Sequence, residues 1–408
     1  MIWSCTTDAA CHPQTAPVVP SMKKVVMVAA PVHPIPPRHG AAVEWWIYQV
    51  SRRLTNFESH ILCVAADDHV AEEHRDGIRF HRIRMGRLYK RLFQKITRLD
   101  PWSYARRVAR RIDKIRPDIV HVHNAPDLFA EIRRLSAWKS ARYILHMQNE
   151  MQVSGLRADE LLVADSKYLK SWYVSRLPGA AISVVTNGVD LSQYEPAWTT
   201  DPDARHLRAA HHLPPDKKVI LYVGRISPEK GPLDLVLAFR ELLKQRQDIF
   251  LLLVGEIRTG AASDRRVEYG RKIQQACAEL AGGCRHVGVV NPADMHKIYP
   301  VSDLVVVPSR FEEPFGMVAI EAMAAGVPVL AASKGGLREF VIPGQTGFLI
   351  ENTENHDLFA HQMNELLNQP GTLDKIRRQA RRYVEQHHGW DTVARQTEEQ
   401  YHRLLARN

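Results

Sequence analysis

Cysteine is scarce in this chain, and its cysteines lack the spacing of a metal-binding or redox pair. The 408 residues contain five, none in a Cys-x-x-Cys motif: Cys5, Cys11, Cys63, Cys277 and Cys284. This pattern argues against a structural zinc site and against a framework of disulfides. A reducing compartment fits best, so we expect a cytoplasmic protein.

Long apolar runs and several catalytic signatures are absent as well. The longest apolar runs are strand-sized, such as residues 25–32, whereas a membrane-spanning helix needs about 20 apolar residues. No Gly-x-Gly-x-x-Gly follows an initial strand, which argues against a dinucleotide oxidoreductase. Neither a Gly-x-Ser-x-Gly elbow nor a His-Glu-x-x-His helix occurs. Residues 1–21 do not resemble a signal peptide, and we predict that they form a disordered extension.

The length and the charge of the chain narrow its organisation and its partners. A chain of 408 residues is too long for one compact core and suits two domains. The net charge of +10 indicates an anionic partner, and charge alone leaves open nucleic acid, an acidic membrane surface and a phosphorylated substrate. Because no recognisable nucleic-acid-binding module occurs, we predict no nucleic-acid partner.

Strand-like and helix-like segments alternate along most of the chain. Continuous apolar runs mark strands that are buried on both faces. They form two series, 25–30, 61–65, 119–122, 143–146, 161–164 and 182–185, then 219–223, 250–254, 286–289, 304–307, 327–331 and 347–350. We therefore predict an α/β protein with two doubly wound, Rossmann-like domains, whose ligands bind at the carboxyl ends of the strands.

The domain boundary is predicted where the alternation breaks at a stretch rich in Pro, Asp and His. Residues 22–192 would form the N-terminal domain and residues 193–388 the C-terminal domain. Residues 389–408 are predicted to form a final helix that packs back towards the N-terminal domain.

The segment from Arg75 to Arg116 is unusually basic. It carries fifteen Lys or Arg against three Asp, and Leu and Ile recur among them at helical spacing. A basic amphipathic helix can lie at an anionic membrane surface. We therefore predict peripheral binding to the cytoplasmic face of the inner membrane. The alternatives are an ordinary helix with a basic outer face and an anionic acceptor bound in solution.

Two cations follow the first strand of the second domain. Arg225 directly follows Gly224, and Lys230 lies five residues further on, beside a helix start. A guanidinium offers a planar set of donors and an ammonium a mobile point charge, so together they can bind a diphosphate. We predict that Arg225 and Lys230 stabilise the charge on a leaving nucleoside diphosphate.

Two glutamates flank a loop-to-helix transition in the same domain. Glu313 lies just before the helix, and Glu321 about two turns into it. The first N–H groups of a helix lack intrahelical partners, and the helix dipole is positive there, so phosphate is favoured. The pair can therefore hold hydroxyl groups on either side of a phosphate, as in a nucleotide-sugar site.

Histidines end two neighbouring strands of the first domain. His123 is predicted to leave the sheet at its carboxyl edge, where substrates bind. His121 lies one step deeper on the same strand and is interpreted as structural. His146 ends the next strand and is an intermediate case, placed to shape the acceptor side.

Together these motifs make the chain resemble the retaining glycosyltransferases of family 4. That family has the GT-B fold, two facing Rossmann-like domains with a central cleft. The resemblance covers nearly everything from Met22 to Leu405. Four motifs carry it, Glu-x7-Glu at 313–321, Gly-Arg-x4-Lys-Gly at 224–231, Gly-Gly-Leu-Arg-Glu at 335–339 and Asn-Gly-Val-Asp at 187–190.

The resemblance implies a role for each matching residue. Glu313 would contact hydroxyls of the transferred sugar, and Glu321 would accept hydrogen bonds from the ribose. His123 would contact the donor sugar from the other domain, while Arg225 and Lys230 would neutralise the diphosphate. The further donor-binding residues it implies are Phe315, Gly316, Met317, Val318, Val289, Val290 and Gly40. The chain has His39-Gly40 where the family often has Gly-Gly, so contacts of this loop are expected to differ.

The family also implies a reaction. Transfer would retain the anomeric configuration without a metal ion or other cofactor, and the leaving diphosphate would assist deprotonation of the acceptor. We predict a hexose-type sugar from a UDP-sugar and a glycan acceptor in lipopolysaccharide core, exopolysaccharide or other cell-surface polysaccharide biosynthesis. A nucleotide-sugar epimerase of the same fold and a non-catalytic glycan- or nucleotide-binding partner are the alternatives.

Overall fold

The computed structural model contains two parallel sheets, each with helices on both faces. It describes residues 22–37, 41–66, 69–86, 100, 102–196, 208–258, 260 and 264–406. Three segments therefore lie outside the described residues. They are the predicted extension 1–21, the loop residues 38–40 and much of the Pro-, Asp- and His-rich stretch at the predicted domain boundary. The prediction of an α/β protein with two parallel-sheet domains is confirmed.

The N-terminal sheet has eight strands in the order β3-β4-β2-β1-β5-β6-β7-β8. All neighbours pair in parallel except β3 and β4, which are antiparallel. The strands are β1 Lys23–Val28, β2 Phe57–Val64, β3 Glu72–Arg75, β4 Ile78–Ile83, β5 Ile119–His123, β6 Arg142–Met147, β7 Leu161–Ala164 and β8 Ala181–Val184.

The C-terminal sheet has six strands in the order β11-β10-β9-β12-β13-β14, and all of its neighbours pair in parallel. The strands are β9 Lys218–Val223, β10 Ile249–Val254, β11 Cys284–His286, β12 Leu304–Val307, β13 Val329–Ala332 and β14 Phe348–Ile350.

Helices cover both faces of the two sheets. The α-helices are α1 Ala42–Ser51, α2 Tyr104–Ile115, α3 Pro126–Leu135, α4 Lys167–Val174, α5 Pro232–Leu243, α6 Arg265–Ala278, α7 Met295–Ile298, α8 Met317–Ala324, α9 His356–Leu367, α10 Pro370–His387 and α11 Trp390–Leu405. Short 3₁₀ segments cover Pro228–Lys230, Pro292–Asp294, Tyr299–Val301 and Gly335–Glu339. No helix among these described residues is both long and apolar enough to cross a membrane.

Strand β1 shows why the apolar runs become central strands. Val25 and Met27 belong to the core under α1 and α11, whereas Val26 and Val28 belong to the core on the opposite face. Successive side chains of a strand point to opposite faces, so a strand covered on both sides must be apolar at every position. An apolar residue at every position of a segment therefore indicates a strand that is buried on both faces of the sheet.

The hairpin of β3 and β4 was not predicted, and its second strand, β4, lies inside the basic stretch. In β4, Ile78 and Phe80 are fully buried, and they alternate with Arg79 and His81. This period of two indicates a strand with one apolar face. The basic stretch is thus at least two different elements, strand β4 and helix α2, and residues 87–99 between them lie outside the described part.

The last helix completes the core of the N-terminal domain. Trp390, Val393, Tyr401 and Leu404 of α11 pack with residues of β1, β2 and α1 in one buried cluster. The chain returns to this domain at Gly389, which forms an isolated bridge with Val189. The C-terminal segment therefore stabilises the domain that the N-terminal half of the chain builds.

The packing of α11 on the N-terminal domain can be tested at Glu398. Its carboxylate accepts hydrogen bonds from the backbone N–H groups of Thr55, at 2.6 Å, and Asn56, at 2.9 Å. We expect Glu398→Ala to lower the free energy of unfolding by about 1.5–3 kcal/mol, because two partly buried backbone N–H groups lose a charged acceptor. Glu399→Ala, on the exposed side of the same helix, is the control and should change it by less than about 0.5 kcal/mol. Urea denaturation of the two variants checks this, and equal midpoints would contradict it.

Candidate active site

A cavity of about 220 Å³ lies in the cleft between the two domains. Its walls come from the carboxyl ends of strands in both sheets, which is where doubly wound folds bind ligands. The N-terminal domain contributes Ala42, Val43, Gln148, Asn149, Asp165 and Asn187. The C-terminal domain contributes Tyr222, Val223, Gly224, Lys230 and the residues 307–309 and 313–318.

The cavity contains an ion pair between two predicted site residues. The Lys230 ammonium lies 2.7 Å from a carboxylate oxygen of Glu313, and the Ser309 hydroxyl donates to the same oxygen at 2.6 Å. Glu313 is only 6 % exposed. A carboxylate removed from water is stable only when donors surround it, and these two groups provide them. Lys230 also lies over the Phe311 ring, at 4.7 Å from the centroid.

The loop after Glu313 turns sharply into helix α8. Gly316 has a φ of 113°, and a Cβ there would lie 2.4 Å from Leu337. Only glycine tolerates this turn, which lets the first residues of the helix, Met317 and Val318, face the cavity. Phe315 is buried and packs against Phe340 and His388. The first residues of α8 therefore line the cavity, and phosphate binding by their N–H groups stays a prediction.

Glu321 lies further along α8, outside the residues that line the cavity. The Tyr299 hydroxyl donates to its carboxylate at 2.6 Å. Burial raises the pKa of Glu321 from its ordinary 4.5 to about 7, although the tyrosine hydrogen bond opposes the shift. In the folded protein this side chain is thus close to half protonated near neutral pH. Its predicted contact with a ribose stays a prediction.

The raised pKa of Glu321 has a measurable effect on stability. The folded state binds the Glu321 proton more tightly than the unfolded state does. Below about pH 4.5 the carboxyl is protonated in both states, and burial of Glu321 costs no stability through ionisation. As the pH rises from about 4.5 to about 7, the unfolded state loses the proton first, so the folded protein becomes less stable. Between pH 5 and pH 8 we expect Glu321→Gln to gain about 2 kcal/mol of stability relative to the wild type. Urea unfolding at both pH values measures this. Glu365→Gln, at an exposed position of α9, should follow the wild type, and a pH-independent effect of Glu321→Gln would contradict the expectation.

Arg225 lies in the loop after β9, and its side chain is outside the cavity. Its side chain is 65 % exposed, and its nearest acidic partner is Glu229 at 3.8 Å. It does not line the cavity among the described residues, whereas Lys230 does. The structure therefore brings Lys230 and Glu313 together and leaves Arg225 with its side chain in solvent.

His123 is placed differently from the expectation for a residue at the cleft. It is fully buried, and its ring packs against Trp46, His121 and His146 on the face of the sheet that α1 covers. Burial and the two neighbouring histidines hold its pKa well below the ordinary value, so the ring is neutral. The structure does not bring His123 to the cavity, because its side chain points under helix α1.

His121 is a structural residue, as its depth in the strand predicted. Its Nδ1 lies 2.7 Å from the Tyr401 hydroxyl of α11. His146 is also fully buried, and burial lowers its pKa to about 3. The three imidazoles are therefore neutral parts of the core under α1 and α11.

Val289 and Val290, which the resemblance implies as donor-binding residues, differ in exposure. Val289 is 66 % exposed, whereas Val290 is partly buried against the core of the C-terminal domain. Both lie in the loop after β11, at the carboxyl edge of the sheet. Gly40 lies outside the described residues.

Contacts across the cleft hold the two domains against each other beside the cavity. The Glu339 carboxylate accepts from the backbone N–H groups of Lys167, at 2.9 Å, and Tyr168, at 2.6 Å, at the start of α4. The Ser166 hydroxyl donates to the Pro314 carbonyl at 2.5 Å. Glu339, the last residue of the Gly-Gly-Leu-Arg-Glu motif, thus binds the amino end of helix α4 and links the two domains.

Four polar cavity residues of the N-terminal domain were not predicted as site residues: Gln148, Asn149, Asp165 and Asn187. Gln148 and Asp165 directly follow strands β6 and β7, and Asn187 follows β8 by three residues. A polar residue just after a buried parallel strand was the available signal.

Two family models match the chain. The model described as "Glycosyltransferase Family 4" matches residues 43–193, and the one described as "Glycosyl transferases group 1" matches residues 203–383. The chain is 37 % identical over 387 residues to a lipopolysaccharide 1,2-N-acetylglucosaminetransferase of Salmonella typhimurium, covering 93 % of this chain and 98 % of that protein.

Solved structures with the same fold include a sucrose-phosphate synthase from Thermosynechococcus elongatus, with a TM-score of 0.75 and 21 % identity over 95 % of this chain and 100 % of that one. Anabaena HepE, solved with UDP and glucose, has a TM-score of 0.72 and 20 % identity over 93 % and 99 % of the two chains. The predicted GT-B fold is confirmed by these neighbours.

Proposed function

The chain belongs to the family 4 glycosyltransferases, and from this premise we propose that it transfers a sugar from a UDP-sugar to a lipopolysaccharide-type glycan with retention of the anomeric configuration. The observation that carries the proposal is the Lys230–Glu313 pair beside the start of α8, inside the cleft. N-acetylglucosamine is the first sugar to test, because the Salmonella relative is named for it.

The geometry supports a division of labour in the cavity. Glu313 accepts hydrogen bonds from hydroxyls of the transferred sugar, while the first N–H groups of α8 bind the diphosphate. Lys230 supplies positive charge where negative charge develops as the bond from C1 to the diphosphate breaks. Arg225 reaches the same diphosphate once its exposed side chain turns inward.

The proposed step is balanced within donor and acceptor. The C1–oxygen bond to UDP breaks, and the acceptor oxygen forms a bond to C1 on the same face of the ring. The acceptor hydroxyl gives its proton to a phosphate oxygen of the leaving UDP. Placement of the reactants and charge stabilisation would supply the rate enhancement, and the residues of this cavity suit both tasks. No metal ion or other cofactor is needed in this scheme.

A donor screen tests the function. The protein is incubated with UDP-N-acetylglucosamine, UDP-glucose or UDP-galactose and with rough lipopolysaccharide truncated at successive core sugars. We expect UDP release and a mass gain of one sugar with one donor, and an equatorial anomeric proton in the product, because the donor's C1–oxygen bond is axial and retention keeps it so. Isomer formation without acceptor would indicate the epimerase instead. Tight UDP binding without turnover on any acceptor would indicate a non-catalytic partner.

We also propose that the basic face of α2 binds anionic membranes, which would bring the enzyme to a lipid-linked acceptor. Ala105, Val108 and Ile112 are buried, while Arg106, Arg110 and Lys114 are exposed. Each basic residue near an anionic surface contributes about 1 kcal/mol. Helix α2 thus presents a row of cations outward.

Changing Arg106, Arg110 and Lys114 together to Gln should reduce binding to vesicles with 30 % anionic lipid about tenfold to a hundredfold. Cosedimentation measures this. Removing the same charge from α6 by changing Arg265, Arg266 and Arg271 to Gln is the control. Equal losses from both sets would show that binding follows net charge and not this face.

A further inference from the structure

Three buried polar side chains line the N-terminal wall of the cavity. Gln148 is 6 % exposed, Asp165 is 1 % exposed and Asn187 is 4 % exposed. They come from the ends of three neighbouring strands, so the wall is built by the sheet rather than by one flexible loop.

Each of the three has a buried polar atom that lacks a hydrogen-bond partner within the described parts of the chain. The atoms are both amide atoms of Gln148, Oδ1 of Asp165 and Oδ1 of Asn187. Their side chains share one hydrogen bond, from Asn187 to Asp165 at 3.1 Å. Buried polar groups in folded proteins are nearly always paired, so a cluster of unpaired ones around a cavity indicates that a ligand completes them.

The chemistry of this wall differs from that of the opposite wall. Its cavity-lining residues are Ala42, Val43, Gln148, Asn149, Asp165 and Asn187, none of which is a cation. Diphosphate is matched by Lys230 and the start of α8 on the other side. Amide and carboxyl groups donate and accept side by side, which matches neighbouring hydroxyl groups of a neutral ring.

The wall is held in place before any ligand arrives. The backbone N–H of Gln148 donates to the Asn124 side chain at 3.2 Å. The carbonyl of Asn187 lies 3.2 Å from the His388 ring, and the backbone N–H of Asp165 donates to Met147 at 3.3 Å. These contacts anchor the backbone at all three positions and so limit where the side chains can lie, which lowers the entropic cost of binding.

We propose that Gln148, Asp165 and Asn187 bind hydroxyl groups of a sugar ring in the cleft and select which sugar is used. This inference rests on the proposed function, since it places a sugar in the same cavity. The ring belongs either to the donor or to the terminal residue of the acceptor. A site built to bind hydroxyls discriminates strongly against a ring that leaves its buried groups unpaired.

The test uses Gln148→Met, which keeps the side-chain length and removes both polar atoms, together with Asp165→Asn. Gln379→Met is the matched control, because Gln379 on α10 has a buried unpaired amide oxygen but does not line the cavity. Three quantities are measured for each protein: affinity for UDP, affinity for the UDP-sugar that the wild type uses, and KM for truncated lipopolysaccharide.

We expect unchanged UDP affinity in all variants, because the wall does not face the diphosphate. If the ring is the donor's, Gln148→Met weakens UDP-sugar binding about tenfold or more. If it is the acceptor's, KM for lipopolysaccharide rises by that factor, as loss of two hydrogen bonds predicts. Asp165→Asn, which changes which groups donate, should shift the preference among UDP-N-acetylglucosamine, UDP-glucose and UDP-galactose, or among acceptors.

The outcomes separate this inference from the proposed function. A wild type that turns over while both cavity variants match it and Gln379→Met in all three quantities would overturn the inference alone. A wild type that binds no UDP-sugar would overturn the proposed function and this inference with it. Equal losses in UDP and UDP-sugar affinity would show a general disturbance of the cleft and would also overturn the inference.

Discussion

Gly335→Ala is expected to lower the rate of sugar transfer at least a hundredfold. Gly335 has a φ of 50°, and a Cβ there would lie 2.1 Å from the carbonyl oxygen of Glu313 and 2.8 Å from its backbone nitrogen. These are backbone atoms, so no side-chain rotation relieves the clash. Either Glu313 or the 3₁₀ turn at Gly335–Glu339 must move. Displacements of about 1 Å at a reacting site reduce rates about a hundredfold.

The same turn connects the ion pair to the domain contact. The backbone N–H of Gly336 donates to the Glu313 carbonyl at 2.7 Å, and Glu339 at the other end of the turn accepts from the amino end of α4. A shift at Gly335 therefore reaches both the carboxylate in the cavity and the closure of the cleft. We expect the loss to appear in kcat as well as in KM.

Gly344→Ala is the control for backbone strain. Gly344 has a φ of 74°, and a Cβ there would meet nothing within 4 Å. Both variants force an alanine into the left-handed region, which destabilises by about 1–2 kcal/mol. Only Gly335→Ala adds the clash. Initial rates of UDP release and thermal unfolding of both variants separate the effects, and equal activities would refute the proposed packing of this turn on Glu313.

The sequence predicted the sheets well because buried parallel strands are apolar at every position. Strand β12 has the predicted bounds, 304–307, and helix α11, Trp390–Leu405, lies within the predicted 389–408, since the periodicity of apolar residues is clear in both. Strand β4 was missed because charged residues occupy one of its faces. In a basic stretch, such a strand shares its composition with an amphipathic helix.

Parts of the site could not be predicted from the sequence because they depend on tertiary packing. The sequence placed Lys230 and Glu313 near one strand edge, but the 2.7 Å contact between residues 83 positions apart follows from packing. His123 ends its strand as predicted, yet its burial under Trp46, whose ring centroid lies 5.0 Å away, follows from the packing of α1 on the sheet. Gln148 directly follows a buried strand, but that position alone does not distinguish it from other polar residues after strands. Only the structure shows that the side-chain amide of Gln148 is buried beside the cavity without a hydrogen-bond partner among the described residues.

Lys230→Met is expected to abolish transfer and to destabilise the protein, and a second substitution separates these effects. With Lys230 gone, the Glu313 carboxylate stays buried with only Ser309 as a described side-chain donor. Breaking a buried pair by removing one partner destabilises by about 3 kcal/mol or more. Because Lys230 is also proposed to stabilise the leaving diphosphate, the rate should fall about a hundredfold to a thousandfold.

The double variant Lys230→Met/Glu313→Gln removes the unpaired charge. Replacing both partners of a buried pair is often close to neutral, so we expect its free energy of unfolding to return to within about 1 kcal/mol of the wild type. Activity should stay lost, since neither the cation nor the carboxylate is present. Stability thus recovers while activity does not, which a purely structural ion pair would not allow.

Lys230→Arg and Glu313→Gln complete the set. Arginine keeps the positive charge but not the compact ammonium that Glu313 and the Phe311 ring surround, so partial activity is expected. Glu313→Gln keeps the shape and removes the charge, which should lower kcat more than UDP affinity if Glu313 contacts the transferred sugar. A double variant with restored turnover would show that the pair only stabilises the fold, and the charge needed at the diphosphate would then have to come from Arg225.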